Sequence, residues 1–270
     1  MAEHIFDKSE MNTQTLFQLS GKTALVTGGS RGIGLMIAQG YVEQGVRVYI
    51  SSRKADVCDA VAEELSALGE CVSLPADVST PEGCRALADA LAEREEKLHI
   101  LVNNAGATWG GDFDTYSDKG FSKIMELNVH SIFSLTRDVV GLLEAAGTPE
   151  DPARVINIGS MDGLHVNVVS ETGTFAYAAS KAAVHHLTRT LAVELAPRNI
   201  TNNAIAPGFF ESKMTEYVFE NFKENIENNS PLKRIGKPEE MAGLAIYLAS
   251  RAGAYTNGTV IAVDGGTCIA

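Results

Sequence analysis

Thr23-Ala24-Leu25-Val26-Thr27 runs without a break into Gly28-Gly29-Ser30-Arg31-Gly32-Ile33-Gly34. A short β-branched run, then glycines, then a helical pattern over 33–43 predicts a strand, a bare-backbone turn and a helix N-terminus in succession. Such a turn presents unpaired N–H groups without side chains in the way, which suits a pyrophosphate. The spacing is G-x-x-x-G-x-G rather than the commoner G-x-G-x-x-G, and a tight strand-to-helix turn with no ligand reads the same way locally.

Outward from this stretch the alternation repeats. Strands are expected at 23–27, 46–51, 71–74, 100–103, 154–158, 200–205 and 260–263. Helices are expected at 33–43, 56–68, 81–95, 120–145, 175–196 and 238–249. Seven apolar strands separated by helices imply right-handed crossovers and a parallel sheet covered on both faces. The fold class is therefore α/β, one doubly wound domain, with ligands expected at the carboxyl ends of the strands where strand order reverses.

The composition agrees. Of 270 residues 45% are apolar, 21% are charged, and 25 glycines accompany 8 prolines. A disordered chain, a collagen repeat and a disulfide-stapled mini-protein are excluded. The net charge of −12 repels phosphate backbones, so nucleic acid is not an expected partner and any phosphate site must be a local cationic pocket. Cys58, Cys71, Cys84 and Cys268 form no C-x-x-C pair and have no metal-ligand spacing, so reduced structural thiols and no metal are expected. Residues 1–18 lack the apolar core of a secretory signal and are read as a weakly ordered extension. No apolar run of ~18 residues is present, so no membrane span is expected.

The end of the second strand bears on the ligand. An acid usually stands there to bind a ribose 2′-hydroxyl. Here the chain reads Ser51-Ser52-Arg53-Lys54. Arg53 and Arg31 could meet a 2′-phosphate, with Ser52 as a neutral donor, which favours NADP(H) over NAD. A solvated loop is the plain alternative for Arg53 and Lys54. Asp77, before Val78, could accept from an adenine amino group or serve only as a turn or cap carboxylate. Asn103-Asn104-Ala105-Gly106 suits a polar network beside a cofactor, or an ordinary turn.

Tyr177 and Lys181 stand four residues apart on a helical segment and share a face. A free phenol titrates at ~10, and lowering it two to three units takes ~3–4 kcal/mol. A cation ~4 Å away offers about 4 kcal/mol at an effective dielectric of 20, before its own desolvation. Ser160 closes the fifth strand, where its hydroxyl could polarise a ketone oxygen while the phenol protonates it. Asn128 falls in the middle of a helical run, an unfavourable place for an amide. It is read as bulging the helix or holding a water near Lys181, or as a satisfied core asparagine.

In order, Thr27-Gly28-x-x-x-Gly32-x-Gly34, Asp77, Asn103-Asn104-Ala105-Gly106, Asn128, Ser160, Tyr177-x-x-x-Lys181 and Pro207-Gly208 resemble the short-chain dehydrogenase/reductase family over about residues 19–266. The resemblance implies a Rossmann-type seven-stranded sheet, with residues 19–270 as an NADP-binding catalytic domain. It also implies a tetrad of Asn128, Ser160, Tyr177 and Lys181. Tyr177 would be the general acid or base, Lys181 would bind the nicotinamide ribose, Ser160 would polarise the substrate oxygen, and Asn128 would hold a water in a proton relay. Cofactor contacts are implied at Gly28, Ser30, Arg31, Gly32, Ile33, Gly34, Ser52, Arg53, Asp77, Val78, Asn104, Ala105 and Gly106, at Tyr177 and Lys181, and at Pro207, Gly208, Phe210 and Ser212.

The implied activity interconverts a ketone and a secondary alcohol. The motif pattern is similar to 3-oxoacyl reductases, so a 3-oxoacyl thioester is the first substrate expected. A small diketone, a polyol or a polycyclic ketone is the alternative, and an NADP-binding redox sensor without catalysis a remote one. The acidic surface offers no evident docking face for an acidic carrier protein. A homotetramer, or a homodimer, in the cytoplasm is implied.

Two departures from the family pattern stand out: Ser160 and Tyr177 are 17 positions apart, a few more than is common in the family, and 147–152 is an insertion expected at the surface. The loop 161–174 should border the substrate. His185-His186 cannot chelate one ion from adjacent helical positions and is read as surface or interface packing. Trp109, Phe209, Phe210, Tyr217 and Phe219 are read as a substrate wall or as ordinary core.

Overall fold

Seven strands form one all-parallel sheet in the order β3-β2-β1-β4-β5-β6-β7. They are β1 (Thr23–Thr27), β2 (Arg47–Ser51), β3 (Cys71–Ser73), β4 (Ile100–Asn103), β5 (Ala153–Ile158), β6 (Ile200–Pro207) and β7 (Val260–Val263). The computed structural model describes residues 12–166, 173–212 and 215–270. The order reverses between β1 and β4, which pair through Leu25 and Leu101. This is the doubly wound arrangement expected from the alternation.

The helices are α1 (Gly32–Glu43), α2 (Ala55–Ser66), α3 (Pro81–Ala92), α4 (Asp118–Met125), α5 (Ser131–Asp138), α6 (Val140–Ala146), α7 (Phe175–Leu195), α8 (Glu216–Asn229) and α9 (Pro238–Ala249). Side chains alternate across a strand. Accordingly Ala24 and Val26 join Ile37, Tyr41, Met241 and Leu248 in one core, while Leu25 joins Leu87, Leu135 and Leu191 in the other. Burial on both faces explains why the strands read as continuous apolar runs.

Two helical expectations are corrected. The single helix expected over 120–145 is α4, a π-helical turn over Glu126–His130, then α5 and α6. Asn128 lies in that wide turn, so the bulge read at this position is present. Helix α8 had been expected as loop or a short helix. Four asparagines and an apolar pattern too sparse to mark a face hid it.

The insertion is also more than surface. Residues 148–150 are exposed, but Asp151 turns inward and pairs with Lys22 and with Arg154 of β5, each at 2.8 Å. Arg154 is buried and donates to the carbonyls of Leu248 and Ser250 at the end of α9. Of the N-terminal extension, residues 1–11 lie outside the described residues. Nearer the sheet, the Leu16 carbonyl accepts from the Ala252 amide and Leu19 is buried. Among the described residues no helix is long and apolar enough to cross a membrane.

Candidate active site

The glycine turn sits at the point where strand order reverses, the crevice where such sheets take dinucleotides. Gly28 has a φ of +65°, which a side chain would strain. A Cβ on Gly34 would lie 2.4 Å from the Gly28 carbonyl oxygen, so turn and helix pack too closely for any other residue. Asn104 fixes this turn from β4: its Nδ2 donates to the Thr27 and Gly28 carbonyls at 2.9 and 3.2 Å. Thr27 Oγ1 accepts the Asn104 and Ala105 amides, both at 3.0 Å. The Asn-Gly segment is thus a polar staple rather than a free turn.

Arg31 precedes α1 with extended backbone and no side-chain cap, leaving the amides of Gly32, Ile33 and Gly34 to face outward. Arg31 and Arg53 are exposed, and neither pairs with a carboxylate among the described residues. Ser52 stands between them and the sheet, and no acid closes β2. Asp77 accepts the Ser79 amide at 3.0 Å, so the turn role is real. Burial opposes its charge, but the Ser79 bonds, Arg53 and Lys123 together hold its carboxyl below the ordinary range. Val78 is buried beside it. From the other side Gly208 bonds the Val263 carbonyl at 2.9 Å, and Ser212 approaches the turn, its Cβ 3.1 Å from where a Cβ on Gly32 would stand. The residues present therefore fit a dinucleotide with an extra phosphate: a bare cradle, a helix N-terminus and two unpaired guanidiniums.

The tetrad residues converge one strand further along. Ser160 follows β5 and Tyr177 rises from the first turn of α7, and the Ser160 side chain lies close enough to the phenol to favour its ionised form. Lys181 is buried and its Nζ lies 5.5 Å from the centroid of the Tyr177 ring. It donates to the Ile158 carbonyl at 2.7 Å. The ammonium expected beside the phenol is there, and its hydrogen bond goes to the strand. A buried cation requires an acceptor, and the β5 carbonyl supplies one. Burial accordingly pushes the Tyr177 phenol up to about 12, against the Ser160 bond and together with the charge of Asp162. Burial likewise brings Lys181 down to about 8, with Asp162 opposing.

Asn128 is committed to structure. Its Oδ1 accepts the Ala107 amide at 2.9 Å, and its Nδ2 donates to the Ala107 carbonyl and Ser180 Oγ at 3.0 and 2.9 Å. Gly106 lies against it and Lys181. Below the site a buried amide ladder crosses the sheet. Asn103 donates to Asn157 at 2.9 Å, and Asn157 to Asn202 and Thr188 at 3.0 Å each. Asn202 carries no signal in the sequence, where it reads as one of three consecutive polar residues, Thr201-Asn202-Asn203, at the start of β6.

Two other expectations change. His185 is buried against Ser160, whereas His186 is exposed, so only the second fits a surface reading. The aromatic wall divides: Phe210 is core under Gly236, Phe209 packs on Phe219 at 6.2 Å, and the Tyr217 side chain lies outside the described residues, as do residues 167–172 of the loop. Trp109 instead covers Gly120 near a cluster not foreseen. There Phe175, just before Tyr177, meets Phe113 at 5.7 Å and Tyr116 at 5.3 Å.

Residues 28–268 match the family model described as enoyl-(acyl carrier protein) reductase. The rhamnolipids biosynthesis 3-oxoacyl-[acyl-carrier-protein] reductase of Pseudomonas aeruginosa is 50% identical over 253 residues, covering 93% of this chain and 97% of that one. Galactitol 2-dehydrogenase (L-tagatose-forming) of Cereibacter sphaeroides is 37% identical over 258 residues, 95% and 98% of the two chains. Among solved structures, the RhlG/NADP active-site complex of Pseudomonas aeruginosa superposes with a TM-score of 0.91 at 48% identity, covering 94% of this chain and 99% of that one. With the parallel sheet, the glycine cradle and the serine–tyrosine–lysine cluster in place, this chain belongs to the short-chain dehydrogenase/reductase family of oxidoreductases.

Proposed function

We propose that this chain, through residues 19–270, reduces a 3-oxoacyl thioester to the secondary alcohol with NADPH. The observation that carries the reading is the Lys181 ammonium buried against the Tyr177 ring, with Ser160 at the end of the neighbouring strand, beside a glycine cradle flanked by the exposed Arg31 and Arg53. Bound at that cradle, NADPH supplies the hydride. Gly28, Ser30, Gly32, Ile33 and Gly34 would hold the pyrophosphate and Arg31, Ser52 and Arg53 the 2′-phosphate. Asp77 and Val78 would border the adenine; Asn104, Ala105, Gly106, Pro207, Gly208, Phe210 and Ser212 would border the rest.

Ser160 donates to the ketone oxygen, and Tyr177 transfers its proton to that oxygen as it becomes an alkoxide. Burial keeps the phenol protonated near neutrality, the form able to give a proton. The ammonium beneath the ring stabilises the phenolate left behind. Both Nδ2 protons of Asn128 are spent on Ala107 and Ser180, so a relay water here needs its main chain rather than its amide.

The aromatic group of Phe113, Tyr116 and Phe175, at the start of the helix that carries Tyr177, supports an apolar acyl chain over a polyol. A homotetramer built on the helices over 120–146 and 175–196, in the cytoplasm, completes the proposal; a monomeric mass in sedimentation would contradict the assembly. The decisive assay follows loss of NADPH absorbance with 3-oxoacyl-CoA esters of rising chain length, a small diketone, a polycyclic ketone and a 2-enoyl-CoA, with NADH in parallel. Turnover of the 3-oxoacyl esters with NADPH is expected. Turnover of the 2-enoyl ester alone would replace the reaction, and of none the reading.

A further inference from the structure

His185 stands on α7 one turn beyond Lys181, and its imidazole is 3% exposed. The turn that carries the active-site serine, Gly159-Ser160-Met161-Asp162-Gly163, wraps around this ring. Its Nε2 accepts the Ser160 amide at 3.4 Å. A Cβ on Gly159 would lie 2.2 Å from Nε2, and one on Gly163 2.7 Å from Cε1, so both glycines leave room for a ring held at contact distance. An amide can only donate, so Nε2 carries the lone pair and the proton sits on Nδ1. That nitrogen makes no hydrogen bond of ordinary geometry among the described residues, while the Gly163 main chain favours the protonated ring. Burial first, then Lys181 and Arg189 of the same helix, oppose a second proton and bring the ring down to about 4. The imidazole is therefore a neutral acceptor throughout the neutral range.

We propose that His185 is a positioning residue for Ser160: by accepting the serine's main-chain N–H it fixes the orientation in which the serine hydroxyl meets Tyr177. The second pin on this turn is the Asp162 amide donating to Ser160 Oγ at 3.2 Å. With one pin at the main chain and one at the side chain, the serine is held from both ends. A hydroxyl that polarises a ketone must stay within a fraction of an ångström of its working place. The inference rests on the ketone-reduction reading, but one of its tests does not need turnover.

The test uses the full chain. His185→Met keeps volume but removes the acceptor, whereas the Oε1 of His185→Gln can replace Nε2. His185→Met is expected to lower kcat about 10-fold with the KM for NADPH unchanged, and His185→Gln to restore most of it. Exchange of the Ser160 amide, followed by NMR, should quicken about 10-fold in His185→Met while β1 amides hold. In the wild type, ¹⁵N-histidine shifts should report the Nδ1–H tautomer. Full kcat in His185→Met, equal loss in both variants, unchanged Ser160 exchange, or the Nε2–H tautomer would each overturn the role. A wild type that turns over no ketone removes the proposed function instead, and the exchange and the tautomer, which need no turnover, then decide on His185.

Discussion

The two edges of the sheet treat charge in opposite ways. At the amino edge of the strands cations are paired. Lys22 and Arg154 share Asp151, and Arg47 holds Glu95 at 2.9 Å and Glu70 at 2.6 Å. Arg154 also caps the last carbonyls of α9, where the helix dipole favours a cation. At the carboxyl edge Lys181 is buried on a neutral carbonyl, burial pushes the Tyr177 phenol up, and Arg31 and Arg53 are exposed and form no salt bridge among the described residues. The amino edge spends its charges on holding the fold. The carboxyl edge leaves them without salt bridges among the described residues, and groups so placed can act on a ligand.

The difference can be broken from either side. Tyr177→Phe removes the acid and should cut turnover about 10³-fold while NADPH still quenches Trp109 fluorescence or binds by calorimetry; retained turnover would remove the assignment. At the opposite edge Arg154→Ala leaves a cavity and frees the α9 carbonyls, so unfolding free energy should fall by about 3–5 kcal/mol, with kcat per folded molecule unchanged. A chemical denaturation curve unmoved by that substitution would erase the distinction between the edges.

The combined Arg31→Ala, Arg53→Ala change removes two charge-assisted contacts and should weaken NADPH about 100-fold but NADH hardly at all. Equal losses would move the 2′-phosphate elsewhere. The smallest effect concerns stability. Lys181 is lowered from 10.5 to about 8, so between these values the unfolded chain binds the extra proton and wild-type stability rises with pH. Below pH 8 the buried ammonium is a cost of about 3 kcal/mol, offset in part by its bond to Ile158. Lys181→Met should therefore melt at or above the wild type at pH 7, inactive though it is, and lose that advantage toward pH 10. Melting well below the wild type at pH 7 would mean the ammonium stabilises the fold.

How much could be read beforehand follows the range of the interactions. Gly28, Gly34, Tyr177 and Lys181 announce themselves through spacing along one strand, turn or helix. Asn128 was noticed because an amide breaks a helical pattern, and the π-turn is that break. Asp151, Asn202 and His185 gave no comparable signal. An aspartate in an insertion reads as solvated, an asparagine in a strand as an exception, and a histidine on a helix as packing. Each acquires its role from a partner on another element: Lys22, Asn157 and Ser160. The hydrogen-bond partner of Lys181 is hidden for a related reason. Helical spacing places it beside Tyr177, but the carbonyl that claims its proton belongs to β5.

From its residues alone this chain was a parallel α/β sheet with a phosphate-binding first turn and a tyrosine–lysine pair, because strand runs, glycine spacing and helical period are local and survive without a partner. Only the packed molecule decided that the lysine serves a main-chain carbonyl, that a histidine lies under the serine, and that a surface insertion anchors a buried arginine. Those outcomes depend on which elements meet across the core, and a buried polar group takes whichever partner that packing brings within reach.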